Sequence, residues 1–541
     1  MQFSRHEILA AGVVGGMAPR VIASSSNNPF TATWNSLSSG YRVPDWFGRA
    51  KFGIWSHWSA QCVPEAGDWY GRLMYVQGHP AYAHHLSHFG HPSRTGFMEI
   101  QNLWTARHWD PDALISLYKS AGARYFMALG CHHDNLDAFN SRNHAWNVMR
   151  VGPRQDIVGG WAIAARKAGL RFAISNHSSH SWHWYQTAYG YDAEGLEKGK
   201  RYDAWNLTRS QGAGKWWDGL DPQELYNGSY YAPPAGIDSL RSMNAWHDAH
   251  DGEWTEAIPP GARGSVYARK WLMRQMDLVE QYRPDMVYLD DSALPFGSIG
   301  LEAAAHYYNQ ASMWHGRPDV VLTAKKLSSQ QRRAIVEDVE RGFVDAISPR
   351  PWQTDTCIGD WHYDRTIFTQ HRYKSAEAVL QRLCDVVSKN GNLMLSIPIR
   401  GDGTHDQDEL DILGDLALWF RANGDGIYNT VPWRTFGEGP TLTIAGTQNE
   451  NLVKAFTDKD IRFTVSISNT STSLNAFFLG RPRGAITIAS LGTRAVQVEA
   501  VALLRGERLE FTQSADGLTV ALPENDIGIV AGVRIEGRGI S

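Results

Sequence analysis

Four cysteines (Cys62, Cys131, Cys357 and Cys384) are few for 541 residues, and none form a CxxC pair. That excludes a disulfide-built scaffold and gives no zinc-ribbon spacing. Charge of one sign is also missing. The chain has 52 Lys+Arg against 56 Asp+Glu, a net charge of −4, which removes the electrostatic case for nucleic acid or an anionic membrane as partner. Beyond the first thirty residues no apolar run is long enough to cross a bilayer. What the chain has in quantity is 22 Trp, 21 Tyr and 21 His. The flat apolar face of Trp suits the C–H face of a sugar ring. At 43% apolar and 20% charged the composition is that of a folded globular chain. The length accommodates one barrel of about 250 residues or more plus a smaller domain.

Arg5 followed by the uncharged run Ile8 to Ala18, then Val21-Ile22-Ala23, predicts a signal peptide over 1–23 and a periplasmic or secreted protein. The run is too short to span a membrane. The opening resembles a twin-arginine signal, with His6 where the second arginine belongs. Residues 24–43 read as a linker.

From 44 to 435 short apolar runs alternate with helical periodicity. Phe52-Gly53-Ile54-Trp55, Tyr125 to Leu129, Arg171 to Ser175, Met286 to Leu289, Val320 to Leu322 and Leu393 to Leu395 read as strands. Between them, Asp110-Pro111 and Asp156 open helices that Gly122 and Gly169 close. Strands alternating with helices in this number predict an α/β fold, a (β/α)₈-like barrel. Residues 183–262 show no period and read as extended active-site loops. From 436 to 541 short alternating runs (Leu442-Thr443-Ile444, Ile461 to Val465, Ala485 to Ile488, Val496 to Val498, Leu518 to Val520) predict an antiparallel β-sandwich.

In such a barrel the residues just after each strand share the catalytic rim. The first strand is followed by His57, with Asp68-Trp69-Tyr70 a loop later. His132-His133-Asp134 follow the second strand, His177 and His180 the third, and Asp290-Asp291 end the fourth. Two chemistries fit this rim. His132, His133, Asp134 and His177, or the series His177, His180, His183, could hold zinc. Alternatively the histidines bind sugar hydroxyls, tryptophans stack on the ring, and two carboxyls carry the reaction. The tryptophan content favours the second.

Many motifs, in order, then resemble one family. They include Lys51-Phe52-Gly53-Ile54-Trp55-Ser56-His57-Trp58, Gly67-Asp68-Trp69-Tyr70, His132-His133-Asp134, Gly152-Pro153-Arg154-Gln155-Asp156-Ile157-Val158-Gly159, Ser388-Lys389-Asn390-Gly391-Asn392-Leu393 and Gly424-Asp425-Gly426-Ile427-Tyr428. They are similar to the α-L-fucosidases of glycoside hydrolase family 29. The resemblance implies a distorted (β/α)₈-like barrel with a C-terminal β-sandwich, no metal and no cofactor. It also implies retaining hydrolysis of terminal α-L-fucosides on an oligosaccharide or glycoconjugate. Self-association is compatible with it.

Carried over by position, the resemblance makes Asp290 the nucleophile, at the end of Pro284 to Asp290. Adjacent Asp290 and Asp291 must point to opposite sides of a strand, so only one of them faces the sugar. Matching sugar-binding positions are His57, Asp68 (where many relatives carry Glu), Trp69, His132, His133, His177 and Tyr288. The acid/base falls on Glu340, with Asp355 second, because the family's Trp-Glu-Thr motif reads Trp352-Gln353-Thr354 here and an amide delivers no proton. An α-L-galactosidase-like specificity, a binding protein that has lost catalysis, and a metallohydrolase are the competing readings.

Overall fold

The computed structural model describes residues 29–229, 232–251, 257–467, 472–494, 496–523 and 527–540. The expected signal peptide lies outside the described residues. Eight parallel strands close into a barrel in chain order: β1 (Phe52–Ser56), β2 (Tyr125–Cys131), β3 (Arg171–Asn176), β4 (Met286–Ser292), β5 (Val321–Lys325), β6 (Val336–Asp338), β7 (Trp352–Cys357) and β8 (Gly391–Ser396). β1 completes the ring, with Gly53 opposite Tyr125 of β2 and Phe52 opposite Leu393 of β8. Side chains alternate across each strand. Phe52, Ile54, Phe126 and Ala128 pack outward under helices, while Trp55, Tyr125 and Met127 fill the barrel axis. The Tyr125 ring lies against Gly53, where an added Cβ would sit 2.5 Å from it. Any side chain larger than hydrogen would therefore displace that ring.

The outer layer contains α1 (Pro111–Ser120), α2 (Ile157–Lys167), α3 (Gly261–Tyr282), α4 (Ser298–His315), α5 (Ala376–Ser388) and α6 (Gln407–Asn423). Asp110 and Asp156 cap α1 and α2 by accepting from Ala113 N–H (3.0 Å) and Gly159 N–H (2.9 Å), each satisfying an orphan donor worth about 1 kcal/mol. Between β5 and β6 there is only the 3₁₀ turn Gln331–Arg333, and residues 339–351 run from β6 to β7 without a helix. The barrel is thus open on one side of its helical coat. No helix among the described residues is long and apolar enough to cross a membrane.

Three expectations need correction. The sequence pattern marks no strand between 322 and 393, yet β6 and β7 lie there. Past Val336, their axis-facing residues Asp338, Gln353 and Asp355 are polar, so no sustained apolar period develops. Residues 30–43 are packed rather than linker-like. Helix Trp34–Gly40 buries Leu37, and Tyr41 stacks on Tyr308 at 4.6 Å and donates its hydroxyl to the Val320 carbonyl (3.0 Å). Leu442-Thr443-Ile444 is not a strand but part of a connection with Leu442 and Ile444 exposed.

The C-terminal part has two antiparallel sheets. One contains β9 (Thr430–Glu438), β10 (Ile461–Ile467), β11 (Thr472–Phe478), β13 (Gln497–Leu503) and β16 (Gly532–Arg538). The other contains β12 (Ala485–Ile488), β14 (Phe511–Gln513) and β15 (Leu518–Ala521). Trp433, Phe463 and Val533 of the first share one core with Ile488, Leu518 and Val520 of the second. β9 starts at Thr430, ahead of the expected start at 436. A buried ionic trio joins the sheets to the barrel. Asp385 of α5 accepts from Lys389 Nζ (2.8 Å) and from Arg462 Nε of β10 (2.7 Å). Losing one member would leave an uncompensated buried charge.

Candidate active site

Alternation along β4 decides between the two aspartates. Met286 and Tyr288 face the axis, and Val287 and Leu289 face the helices, so Asp290 points to the axis and Asp291 away from it. Asp290 Oδ2 lies 3.1 Å from His177 Nδ1 and 3.5 Å from His133 Nε2, and Oδ1 accepts from Lys325 Nζ. Asp291 is buried behind the rim, where Ser179 Oγ donates to it (3.1 Å) and His180 Nε2 lies 3.5 Å away. Burial alone would raise the Asp290 pKa. Lys325, His177 and His133 override it and hold the carboxyl well below the usual range.

The other strand ends converge on the same cavity of about 270 Å³. Its lining includes His57, Asp68, Trp69, His132, His133, His177, Tyr288, Asp290, Glu340 and Asp355, the catalytic and sugar-binding positions carried over from the family, but not the rim candidates Asp134, His180, His183 and Asp291. His57 Nδ1 bonds Ser396 Oγ (3.0 Å) and its ring lies 3.8 Å from Trp55. His132 Nδ1 meets Gln61 Nε2 (2.7 Å), and His133 Nδ1 donates to the His177 carbonyl (3.1 Å). Burial first, then the neighbouring histidines, hold His57 and His132 well below their ordinary pKa. Burial and His180 do the same for His133 despite Asp290. Neutral imidazoles in a closed pocket suit hydroxyl recognition. Asp68 Oδ1 accepts from His362 Nδ1 at 2.5 Å, so the shorter side chain here is anchored rather than free.

Glu340 follows β6, and its Oε2 lies 2.5 Å from Lys325 Nζ. Its neighbour Arg341 pairs instead with Glu450 (2.9 Å). Asp355 sits lower on β7, 1% exposed, where Tyr288 donates its hydroxyl to Oδ2 (3.0 Å). Gln353 is deeper still, accepting from Tyr125 O–H (3.1 Å) and donating to Asp338 (2.8 Å). It is a link in the barrel interior, not a decayed acid at the rim. Of the zinc sets considered, only His132, His133 and His177 bring ligand atoms within 4.8 Å of one another. A second such group among the described residues is Asp68, His132 and His362.

Residues 18–425 match the family model described as "Alpha-L-fucosidase". The chain belongs to the α-L-fucosidase family. Its similarity to the tissue α-L-fucosidase of Rattus norvegicus is 23% identity over 456 residues, 83% of this chain and 81% of that one. With the plasma α-L-fucosidase of Homo sapiens it shares 24% over 505 residues, 92% and 89% of the two chains. In structure it superposes on the Thermotoga maritima α-fucosidase with a TM-score of 0.65 at 24% identity, covering 94% of this chain and all of that one. The last comparison supports the barrel-plus-sheets fold; membership makes the chain a glycoside hydrolase.

Four lining residues of this α-L-fucosidase family member escaped the sequence reading as site residues: Trp55, which was read only as part of a strand, Lys325, Trp361 and Gln448. Lys325 ends β5, so carrying the strand-end rule one strand further would have found it. Trp361 lies just past β7 (Trp352–Cys357), a strand the sequence pattern does not show, and Gln448 follows no barrel strand.

Asp355 gives a pH prediction. Burial and the nearby Glu340 carboxylate push its pKa up to about 7, against the pull of Lys325 and the Tyr288 hydroxyl. An unfolded chain releases that proton near pH 4. Between those values the folded state binds the proton more tightly, so this group's contribution to stability falls as pH rises. Asp355→Asn keeps the shape and stays uncharged. It should melt with wild type near pH 4 and above it at about pH 8. The same offset at both pH values would refute this.

Proposed function

We propose that this chain hydrolyses terminal α-L-fucosides on oligosaccharides or glycoconjugates with retention of configuration, through a covalent intermediate on Asp290, with Glu340 as acid and then base. One observation carries the mechanism: a single ammonium, Lys325 Nζ, contacts both carboxyls. Two hydrogen bonds of ordinary length meeting on one nitrogen keep their oxygens within roughly 6 Å. An inverting pair needs about 6.5–9.5 Å to admit a water, and a retaining pair about 5–5.5 Å. Asp290, facing Lys325 and two histidines, holds its charge for attack on C1. Glu340 stands on a loop at the cavity mouth, 21% exposed, and reaches the leaving oxygen where buried Asp355 does not. Family membership supports the sugar. So do the neighbours, since a T. maritima fucosidase structure contains fucose.

L-Galactose differs from L-fucose by one hydroxyl at C6, and an apolar pocket rejects an added hydroxyl by only about a hundredfold. The deciding assay compares release from aryl α-L-fucoside and aryl α-L-galactoside, with and without a chelator. Turnover of the fucoside, preferred over the galactoside and indifferent to chelation, is expected. Inactivity on both would sink the proposal. Loss in chelator would favour the metallohydrolase reading that the His132, His133 and His177 cluster motivates.

A further inference from the structure

The acid/base loop is held by a part of the chain that lies outside the barrel. The connection from β9 to β10 leaves the C-terminal sheet at Gly439 and returns at Asp460. Its neck is tied by Asp460, which accepts from Thr441 N–H (2.9 Å) and Thr457 N–H (2.7 Å). In between, the connection folds back over the barrel rim on the side where β5, β6 and β7 lack covering helices. There it pairs with residues 340–343. Phe343 and Gly446 exchange backbone bonds of 3.1 and 3.0 Å, Gln448 N–H and Thr447 Oγ1 both donate to the Glu340 carbonyl (2.8 Å each), and Asn449 and Glu450 N–H donate to the Arg341 carbonyl (3.1 and 2.9 Å). The approach is close enough that a Cβ on Gly342 would lie 2.0 Å from the Gly446 carbonyl oxygen.

Glu450 locks this contact. Its carboxylate, 7% exposed, accepts from Arg341 Nε (2.9 Å), Lys374 Nζ (2.8 Å), Arg382 Nη1 (2.9 Å) and Thr356 Oγ1 (2.7 Å). Arg341 follows Glu340 directly, and Arg382 also donates to the Gly342 carbonyl (2.8 Å). The hub therefore fixes the residues flanking Glu340 on the C-terminal side. Gln448, two residues before it, is held at φ 54°, a backbone region that non-glycine residues keep only where the surroundings enforce it. It lines the cavity at the Glu340 side.

We propose that the β9–β10 connection is part of the catalytic apparatus, with Glu450 and Thr447 as positioning residues for Glu340 and Gln448 as a wall of the leaving-group subsite. The Gln448 amide would bond a hydroxyl of the sugar that carries the fucose. This rests on the hydrolase reading above. A general acid delivers its proton only at hydrogen-bond distance from the leaving oxygen, so a loosened Glu340 loop harms substrates that need the proton and largely spares those that do not.

The test compares a fucosyl disaccharide with α-L-fucosyl fluoride, whose leaving group departs without protonation, on the full chain. Glu450→Gln should lower kcat/KM for the disaccharide by roughly tenfold or more, and lower that for the fluoride by a clearly smaller factor. Thr447→Val, exposed and nearly isosteric, should shift the ratio the same way by less, which keeps the test alive if Glu450→Gln fails to fold. Gln448→Ala should raise KM for the disaccharide more than for the fluoride. Equal losses on both substrates, or an unchanged ratio in the Thr447 and Gln448 variants, would overturn the proposal. A wild-type protein inactive on both would instead overturn the hydrolase reading.

Discussion

Asp290→Asn is expected to reduce turnover of every α-L-fucoside, activated or not, by something on the order of 10⁴–10⁶-fold. The substitution keeps the shape and replaces the attacking oxygen with an amide that forms no glycosyl ester. A better leaving group does not help, because the missing bond is the one to C1. Fold loss is not the expected cause. Asp290 lies at the pocket floor with 18% of its side chain exposed, and Lys325 keeps Glu340 as counter-ion. The discriminating partner is Asp291→Asn. That carboxyl is turned away from the cavity toward Ser179 and His180, so its variant should retain activity and lose stability. Near-normal turnover by Asp290→Asn together with a dead Asp291→Asn would mean that the two roles are exchanged.

The same alternation explains what the sequence could and could not reveal. Strands β1 to β4 announce themselves because each has apolar residues on both faces, and their ends deliver His57, His132, His133, His177 and Asp290 by position alone. β6 and β7 stay silent for a physical reason. Their axis side carries Asp338, Gln353 and Asp355, bonded to Tyr125, Tyr288 and one another. A polar barrel interior therefore erases the periodicity on which strand recognition depends. Asp68 and Gln353 depart from the family's pattern, and the reason lies in partners remote in sequence: His362 lies 294 residues from Asp68, and Tyr125 lies 228 residues from Gln353. Gln448 and Glu450 are harder still. They stand beyond Thr430, in what read as the first strand-rich stretch of a separate sandwich. Only the tertiary fold brings them to Glu340.

Glu340→Ala should behave differently from the nucleophile variant. Without its acid the enzyme is expected to lose about 10²–10⁴-fold on natural linkages and far less on aryl fucosides with good leaving groups, whose departure needs little protonation. The fucosyl-enzyme should then accumulate, since the same carboxyl activates the water of the second step. Azide, a nucleophile that needs no base, should restore turnover by displacing Asp290 from the β-linked intermediate, a second inversion that releases an α-fucosyl azide. Lys325 sharpens the expectation. In wild type its charge is divided between Asp290 and Glu340. In Glu340→Ala it belongs to Asp290 alone, which makes that carboxylate a better leaving group for azide to displace. Asp355 provides the control. It is 1% exposed and bonded to Tyr288, so Asp355→Ala should show no azide product and no dependence on the leaving group. If Asp355→Ala instead gives the azide adduct while Glu340→Ala cleaves natural linkages normally, the proton comes from β7 and the Glu340 loop serves only to shape the mouth.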